Sequence, residues 1–277
     1  MQVNVAQNAG TCFGVDNTIK IAFKAAENTR YLYIIGELVH NPHLVKKLHD
    51  KGVEQVESFK ELTEGDSLII RAHGESAKVY EHCRKNGIRI IDCTCPFVKK
   101  AQSLAGRLEE EGYQVVIIGA PDHPEVRGIA GQTNNAKVIQ NPEDVDEKLK
   151  YGKVGVLSQT TQTQENFRET VAKIVSYPKI IKIHNTICTA TEKRQKAAKK
   201  LAKEVELMIV IGGKNSSNTK KLYELCSNFV EAKWITDESE LQGEWFSDVN
   251  KVGITAGAST PKEVIDKVKE SIECINS

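Results

Sequence analysis

Residues 95–119 read CPFVKKAQSLAGRLEEEGYQVVIIG. A cysteine opens the stretch. Val98, Ala101, Ala105 and Leu108 then recur at steps of three and four, the stripe of an amphipathic helix. Val115 to Ile118 is a strand-sized apolar run that ends at Gly119. The 24 residues from Cys95 to Gly119 are matched by 24 from Cys12 to Gly36 and 24 from Cys188 to Gly212. Each of these glycines follows a short apolar strand, Tyr31 to Ile35 in the first case and Leu207 to Ile211 in the third. Val15, Ile19, Ala22 and Ala26 mark the corresponding helix of the first stretch, and Ala198, Leu201 and Val205 that of the third. A fixed spacing met three times is the sign of an internal repeat.

The match continues past the glycines. Four residues on stand His40, His123 and Ser216, each before a turn and a helix start: Asn41-Pro42, Pro124-Glu125 and Ser217-Asn218. A further strand follows in each repeat: Leu68 to Ile70 before His73, Val154 to Leu157 before Thr160, and Val252 to Ile254 before Ser259. A last helix and strand then lead to the next cysteine, with Ile88 to Ile91 before Cys95 and Ile180 to Ile183 before Cys188. The third repeat ends on its helix, near Pro261 to Ile275, and the spare strand lies at the other end of the chain, Gln2 to Ala6. The N-terminal strand is therefore expected to complete the third sheet. The expected fold is α/β: three similar units, 13–95, 96–187, and 188–277 with 1–12, arranged as a pseudo-threefold ring. Alternating strands and helices imply parallel sheets with right-handed crossovers. Ligands of such sheets gather beyond the carboxyl ends of the strands, where the cysteines and matched polar residues fall.

Composition narrows the function. The 277 residues carry a net charge of +1, which gives no bulk attraction to nucleic acid or to an anionic membrane. No apolar run approaches the ~20 residues of a membrane span. The chain opens on a polar strand and not on a signal or transit peptide, so a cytoplasmic enzyme is expected. In a reducing compartment the seven cysteines are ligands, catalytic groups or core residues before they are disulfides.

Cys12, Cys95 and Cys188 each stand at a helix start, a position that favours the thiolate, the form that binds metal. Zinc would usually require a fourth ligand, which His40, His73 or His123 could supply. A 4Fe–4S cluster on three cysteines would keep one iron open. An all-thiolate set with one ligand per repeat favours the cluster, although both metals accept thiolates. Cys93 lies beside Cys95, but the repeat phase selects Cys95. Cys83, Cys226 and Cys274 fall in helix-like stretches and read as core or surface residues.

Gly212 to Asn218 forms a glycine-to-helix turn of the kind that cradles anions, though Ser216 could equally be only an N-cap. His40 and His73 taken singly would read as core histidines, and Ser259 before Pro261 as a cap. Their matched placement gives a set of neutral or cationic donors suited to a diphosphate. Glu125, two residues past His123 at a helix start, is assigned as proton donor, with Thr160 and His123 as hydrogen-bond partners. The lysines between Lys193 and Lys203 read as a solvated helix face.

These residues resemble the 4-hydroxy-3-methylbut-2-enyl diphosphate reductases, the last enzymes of the non-mevalonate isoprenoid pathway. The resemblance is carried by Gly10-Thr11-Cys12-Phe13-Gly14-Val15, Val39-His40-Asn41, Ala72-His73-Gly74, Thr94-Cys95-Pro96, His123-Pro124-Glu125-Val126, Gln159-Thr160-Thr161, Thr186-Ile187-Cys188, Lys214 to Asn218 and Thr255 to Ser259. It implies a 4Fe–4S cluster on Cys12, Cys95 and Cys188, with the substrate hydroxyl on the open iron. It implies diphosphate contacts from His40, His73, His123, Ser216, Ser217, Asn218 and Ser259, with Thr160 positioning the hydroxyl and Glu125 relaying protons. A ferredoxin- or flavodoxin-like protein is the implied electron donor. Cys93 stands where a small residue such as Ala is expected in that family. The competing readings are a non-redox hydro-lyase, a zinc-dependent hydrolase and a non-catalytic redox sensor.

Overall fold

The strand Leu207–Ile211, LMIVI, is buried along its whole length, and so is Ser67–Ile70, SLII. A strand without a polar face needs cover on both sides, which a parallel sheet flanked by helices provides. The computed structural model describes residues 1–39, 42–146 and 152–275, without the side chains of residues 42 and 43, and it contains three such sheets.

The first sheet is built from β2 (Leu32–Ile35), β3 (Val53–Val56), β4 (Ser67–Ile70) and β5 (Arg89–Asp92), with helices α1 (Phe13–Asn28), α2 (Pro42–His49) and α3 (Ala77–Lys85) between them. The second uses β6 (Gln114–Ile118), β7 (Lys137–Ile139), β8 (Lys153–Ser158) and β9 (Ile180–Ile183), with α4 (Pro96–Glu110), α5 (Pro124–Ala130) and α6 (Gln164–Ile174). The third uses β10 (Leu207–Ile211), β11 (Glu231–Ile235) and β12 (Lys251–Ala256), with α7 (Thr189–Ala202), α8 (Ser217–Ser227) and α9 (Lys262–Ile275). Its fourth strand is β1 (Gln2–Val5), which pairs parallel with β12 from Gln2 opposite Lys251 to Val5 opposite Ile254. The N-terminal strand thus completes the third sheet, as the repeat requires. The strand orders, β3-β2-β4-β5, β7-β6-β8-β9 and β11-β10-β12-β1, are one order repeated three times, with every pairing parallel.

The period-two alternation of a strand divides the core in the same way in each repeat. Leu207, Ile209 and Ile211 pack against Ile265, Val268 and Ile272 of α9, whereas Met208 and Val210 meet Ala198 and Ala202 of α7 and Leu222 and Cys226 of α8. In the second sheet Val116 and Ile118 meet Phe167 and Ile174 of α6, and Val115 and Ile117 meet Ala101, Ala105, Leu108, Val126 and Ile129. Leu68 and Ile70 pack on Val79 and Cys83 of α3.

Two expectations need correction. The stripe on α1 is only half-buried at Val15, Ile19 and Ala26, and Val205 lies beyond the end of α7, whose inner face instead buries Thr191, Arg194 and Gln195 beside Ala198 and Ala202. The edge strands β3, β7 and β11 carry no clear apolar run, because each has only one strand neighbour and is partly exposed. By contact the chain divides into two compact units, one of Met1–Val15 and Thr189 onward, the other of Asp16–Val39 and His43–Cys188. Among the described residues no helix is long and apolar enough to cross a membrane.

The β1–β12 ladder is open to a direct test. Ala6→Pro removes the N–H that donates to the Ile254 carbonyl at 2.8 Å. It should lower unfolding free energy by about 1–3 kcal/mol, as measured by urea denaturation. An unchanged midpoint and slope would mean that the N-terminal strand adds nothing to the third sheet.

Candidate active site

β1, β5 and β9 occupy the same edge in their three sheets, and each is followed by a loop that carries one of the matched cysteines and opens the next helix, the β5 loop holding Cys93 as well. Cys12 immediately precedes α1 and Cys188 immediately precedes α7, while Cys95 is the N-cap of α4. Backbone bonds continue the ladder into these loops. The Cys95 N–H donates to the Ala72 carbonyl at 3.0 Å, the Cys188 N–H to that of Thr160 at 3.0 Å, and the Gly10 N–H to that of Ala256 at 3.3 Å.

The fold sorts the seven cysteines. Cys12, Cys95 and Cys188 are partly exposed at the helix starts. Cys83, Cys93 and Cys226 are buried, and Cys274 is exposed on α9. Burial pushes the thiols of Cys93 and Cys226 up to about 12 and raises that of Cys83. A thiol that resists ionisation makes a poor ligand. The three matched cysteines thus have the exposure and the helix-start position that thiolate ligands of a metal or cluster need, and Cys93 is buried beside one of them. Among the described residues no three His, Cys, Asp or Glu side chains are gathered on a single metal ion. A cluster asks something different of its ligands, since each thiolate binds its own iron.

Four of the expected polar residues belong to one compact unit. Glu125, 1% exposed, lies in the first turn of α5. Its Oε1 accepts the Thr160 N–H at 2.5 Å and its Oε2 accepts the Thr160 hydroxyl at 2.9 Å. His123 caps the same helix, its Nδ1 accepting the Glu125 N–H at 3.2 Å, which leaves the ring proton on Nε2. The ring of His73 meets that of His123 edge-on, 5.2 Å between centroids and 88° between planes. Gly74 has φ +72, and a Cβ there would lie 2.5 Å from Gln102 Nε2, so only glycine lets the turn after His73 sit against α4. His40 lies outside the described residues.

Ser216, Ser217, Asn218 and Ser259 belong to the other compact unit. Ser216 does cap α8, its Oγ accepting the Thr219 N–H at 3.3 Å. Lys214 is turned away, onto the Trp234 carbonyl and Glu240. Asn218 is 6% exposed, and neither its side-chain oxygen nor its nitrogen has a hydrogen-bond partner. A buried amide left unpaired costs about 1–3 kcal/mol, which a bound anion or ester would offset. Sequence reasoning missed Gln159, fully buried, whose Oε1 accepts the Ala120 N–H at 3.2 Å and whose Nε2 donates to Thr161 at 2.9 Å. Its place beside Thr160 in a shared motif was the available signal.

Residues 3–273 match the family model described as LytB protein. A 4-hydroxy-3-methylbut-2-enyl diphosphate reductase of Aquifex aeolicus is 43% identical over 99% of this chain and 96% of its own. One of the same name from Citrifermentans bemidjiense is 41% identical over 100% and 98%. Among solved structures, an (E)-4-hydroxy-3-methyl-but-2-enyl diphosphate reductase described as the terminal enzyme of the non-mevalonate pathway is 42% identical, covers 99% of both chains and has a TM-score of 0.71. The E-1-hydroxy-2-methyl-but-2-enyl-4-diphosphate reductase of Plasmodium falciparum is 27% identical, covers 100% of this chain and 88% of its own, and has a TM-score of 0.91.

The sorting of cysteines predicts a labelling pattern. In native, metal-free protein at about pH 8, iodoacetamide should modify Cys12, Cys95, Cys188 and Cys274 and spare Cys83, Cys93 and Cys226. Peptide mass mapping reads the result. Cys93 labelled as fast as Cys95 would contradict it.

Proposed function

We propose that this chain, which belongs to the LytB protein family, converts 4-hydroxy-3-methylbut-2-enyl diphosphate to isopentenyl diphosphate and dimethylallyl diphosphate by reductive dehydroxylation. One carbon–oxygen bond breaks, the hydroxyl leaves as water, and the allylic fragment gains a hydrogen. The balance requires two electrons and two protons. Cys12, Cys95 and Cys188 would hold a 4Fe–4S cluster, which when bound supplies the electrons and an open iron as Lewis acid for the hydroxyl. The electrons would come from a ferredoxin- or flavodoxin-like protein, and the enzyme would work in the cytoplasm.

The observation that carries this reading is the buried Glu125 held at both oxygens by Thr160, whose own carbonyl accepts the Cys188 N–H. Proton donor and cysteine loop are thereby joined through one residue. Protonated, the Glu125 carboxyl has a proton to give, and Thr160 passes it on by exchanging donor and acceptor through its hydroxyl. His73 and His123 supply ring N–H groups to diphosphate oxygens, as would His40. Ser216, Ser217, Asn218 and Ser259 would add neutral donors. Burial of Glu125 and Thr160 keeps water from competing for the proton, and burial of Ser216, Asn218 and Ser259 limits its competition for phosphate oxygens.

Glu125→Gln retains the hydrogen-bonding shape and loses the acid. With the cluster intact at about four irons and four sulfides per chain, turnover should fall about 10²–10⁴-fold in an anaerobic assay. Wild-type turnover that needs no one-electron donor would replace the reductase with a hydro-lyase. A colourless, zinc-loaded protein after anaerobic purification would replace it with a hydrolase, and an iron–sulfur protein inert towards the diphosphate would replace it with a sensor.

A further inference from the structure

Two of the three cysteine loops are held from outside by residues at one repeated position. Thr18 lies six residues after Cys12, on α1, and is fully buried. Its Oγ1 donates to the carbonyl of Cys93, two residues before Cys95, at 2.7 Å. Arg194 lies six residues after Cys188, on α7, and is 2% exposed. Its Nη2 donates to the carbonyl of Gly10, two residues before Cys12, at 2.7 Å. The helix that one cysteine opens therefore anchors the loop of another, with the same offsets on both sides.

The third position breaks the pattern. Six residues after Cys95 stands Ala101, fully buried in an apolar cluster and without a donor. The residue two before Cys188 is Thr186, and here the loop is tied to its own sheet. The Thr186 hydroxyl accepts the Ser158 N–H at 2.8 Å and donates to the Ser158 carbonyl at 2.5 Å, while Asn185 Oδ1 accepts the Ile187 N–H at 3.1 Å. Gly10 shows how closely its loop is fitted: φ is +89, and a Cβ there would lie 2.9 Å from Ile265 Cδ1 and 3.1 Å from the Thr260 carbonyl.

We propose that Thr18 and Arg194 are positioning residues that preset the Cys95 and Cys12 loops for the cluster, while the Cys188 loop is preset by Thr186. This rests on the cluster assignment above. Neither residue touches the reacting atoms. Each removes the freedom of a carbonyl whose peptide leads straight to a ligand, so the thiolates are ordered before iron arrives.

The test uses the full chain with Thr18→Val, which keeps the volume and removes the donor, Thr18→Ser, which restores it, and Arg194→Lys. In metal-free protein, amide exchange around Cys93 to Cys95 should rise about tenfold in Thr18→Val, and around Gly10 to Cys12 in Arg194→Lys. Exchange around Thr186 to Cys188 should not change, and Thr18→Ser should match wild type. After anaerobic reconstitution, loss of iron to a chelator should be about tenfold faster in Thr18→Val and return to the wild-type rate in Thr18→Ser. Exchange that is unchanged, or raised evenly over the whole chain, overturns the proposal, as does iron loss equal to wild type. Wild-type protein that takes up no iron and sulfide would instead sink the cluster assignment and with it the presetting of ligands, even where the exchange pattern holds.

Discussion

The amides of Cys95 and Cys188 donate to the carbonyls of Ala72 and Thr160, just past the ends of β4 and β8. These bonds carry the parallel ladder beyond the last paired residues, so each cysteine is placed by the sheet and not by a free loop. Parallel strands direct their carboxyl ends to one side, and the crossover helices start there. A residue between strand and helix thus sits at a defined height above the sheet and at the positive end of a helix dipole. Among the described residues, those assigned to the site stand at such junctions or in the first turn of the helix that follows.

Glu125 depends on the same construction. A carboxylate at 1% exposure needs donors for both oxygens, since an unpaired buried charge is costly. Thr160 provides two, its amide and its hydroxyl, from the end of β8. That amide is free for the purpose because the strand ladder has ended, while the carbonyl of the same residue is occupied by Cys188. One threonine therefore commits all three of its polar groups to Glu125 and Cys188. Val or Ala could fill the space, but neither could hold the second oxygen.

The repeat was legible because its markers are of the kind a sequence displays: apolar strands, glycine after them, and cysteines at a constant interval. The exchange of β1 into the third sheet followed from counting strands. Edge strands such as Lys137–Ile139 were not legible, because a short strand with one neighbour needs little apolar surface. The inner face of α7 was hidden in KRQKAAKK, where one buried arginine stands among exposed lysines of the same charge. What separates Arg194 from them is a carbonyl 184 residues away, which no local pattern contains. Thr18 is hidden for a similar reason, as its partner is a backbone atom 75 residues away. The cap at Ser216 was foreseen as one of two roles, and the unpaired Asn218 emerges only once burial is known.

The partnership of β1 with β12 also has a consequence for synthesis. Val3 and Val252, its sheet neighbour, are separated by 249 residues of chain. At about 5–20 residues per second, the first strand waits on the order of tens of seconds for its partner to leave the ribosome. Until each is made, the loop bearing Cys12 lacks Arg194, Ala256 and Thr260, which later lie around its Gly10. The loop bearing Cys12 is thus the first of the three cysteine loops to be made and the last to find its contacts, because those of Cys95 and Cys188 rest on Thr18, Ala72, Ser158 and Thr160, all made earlier.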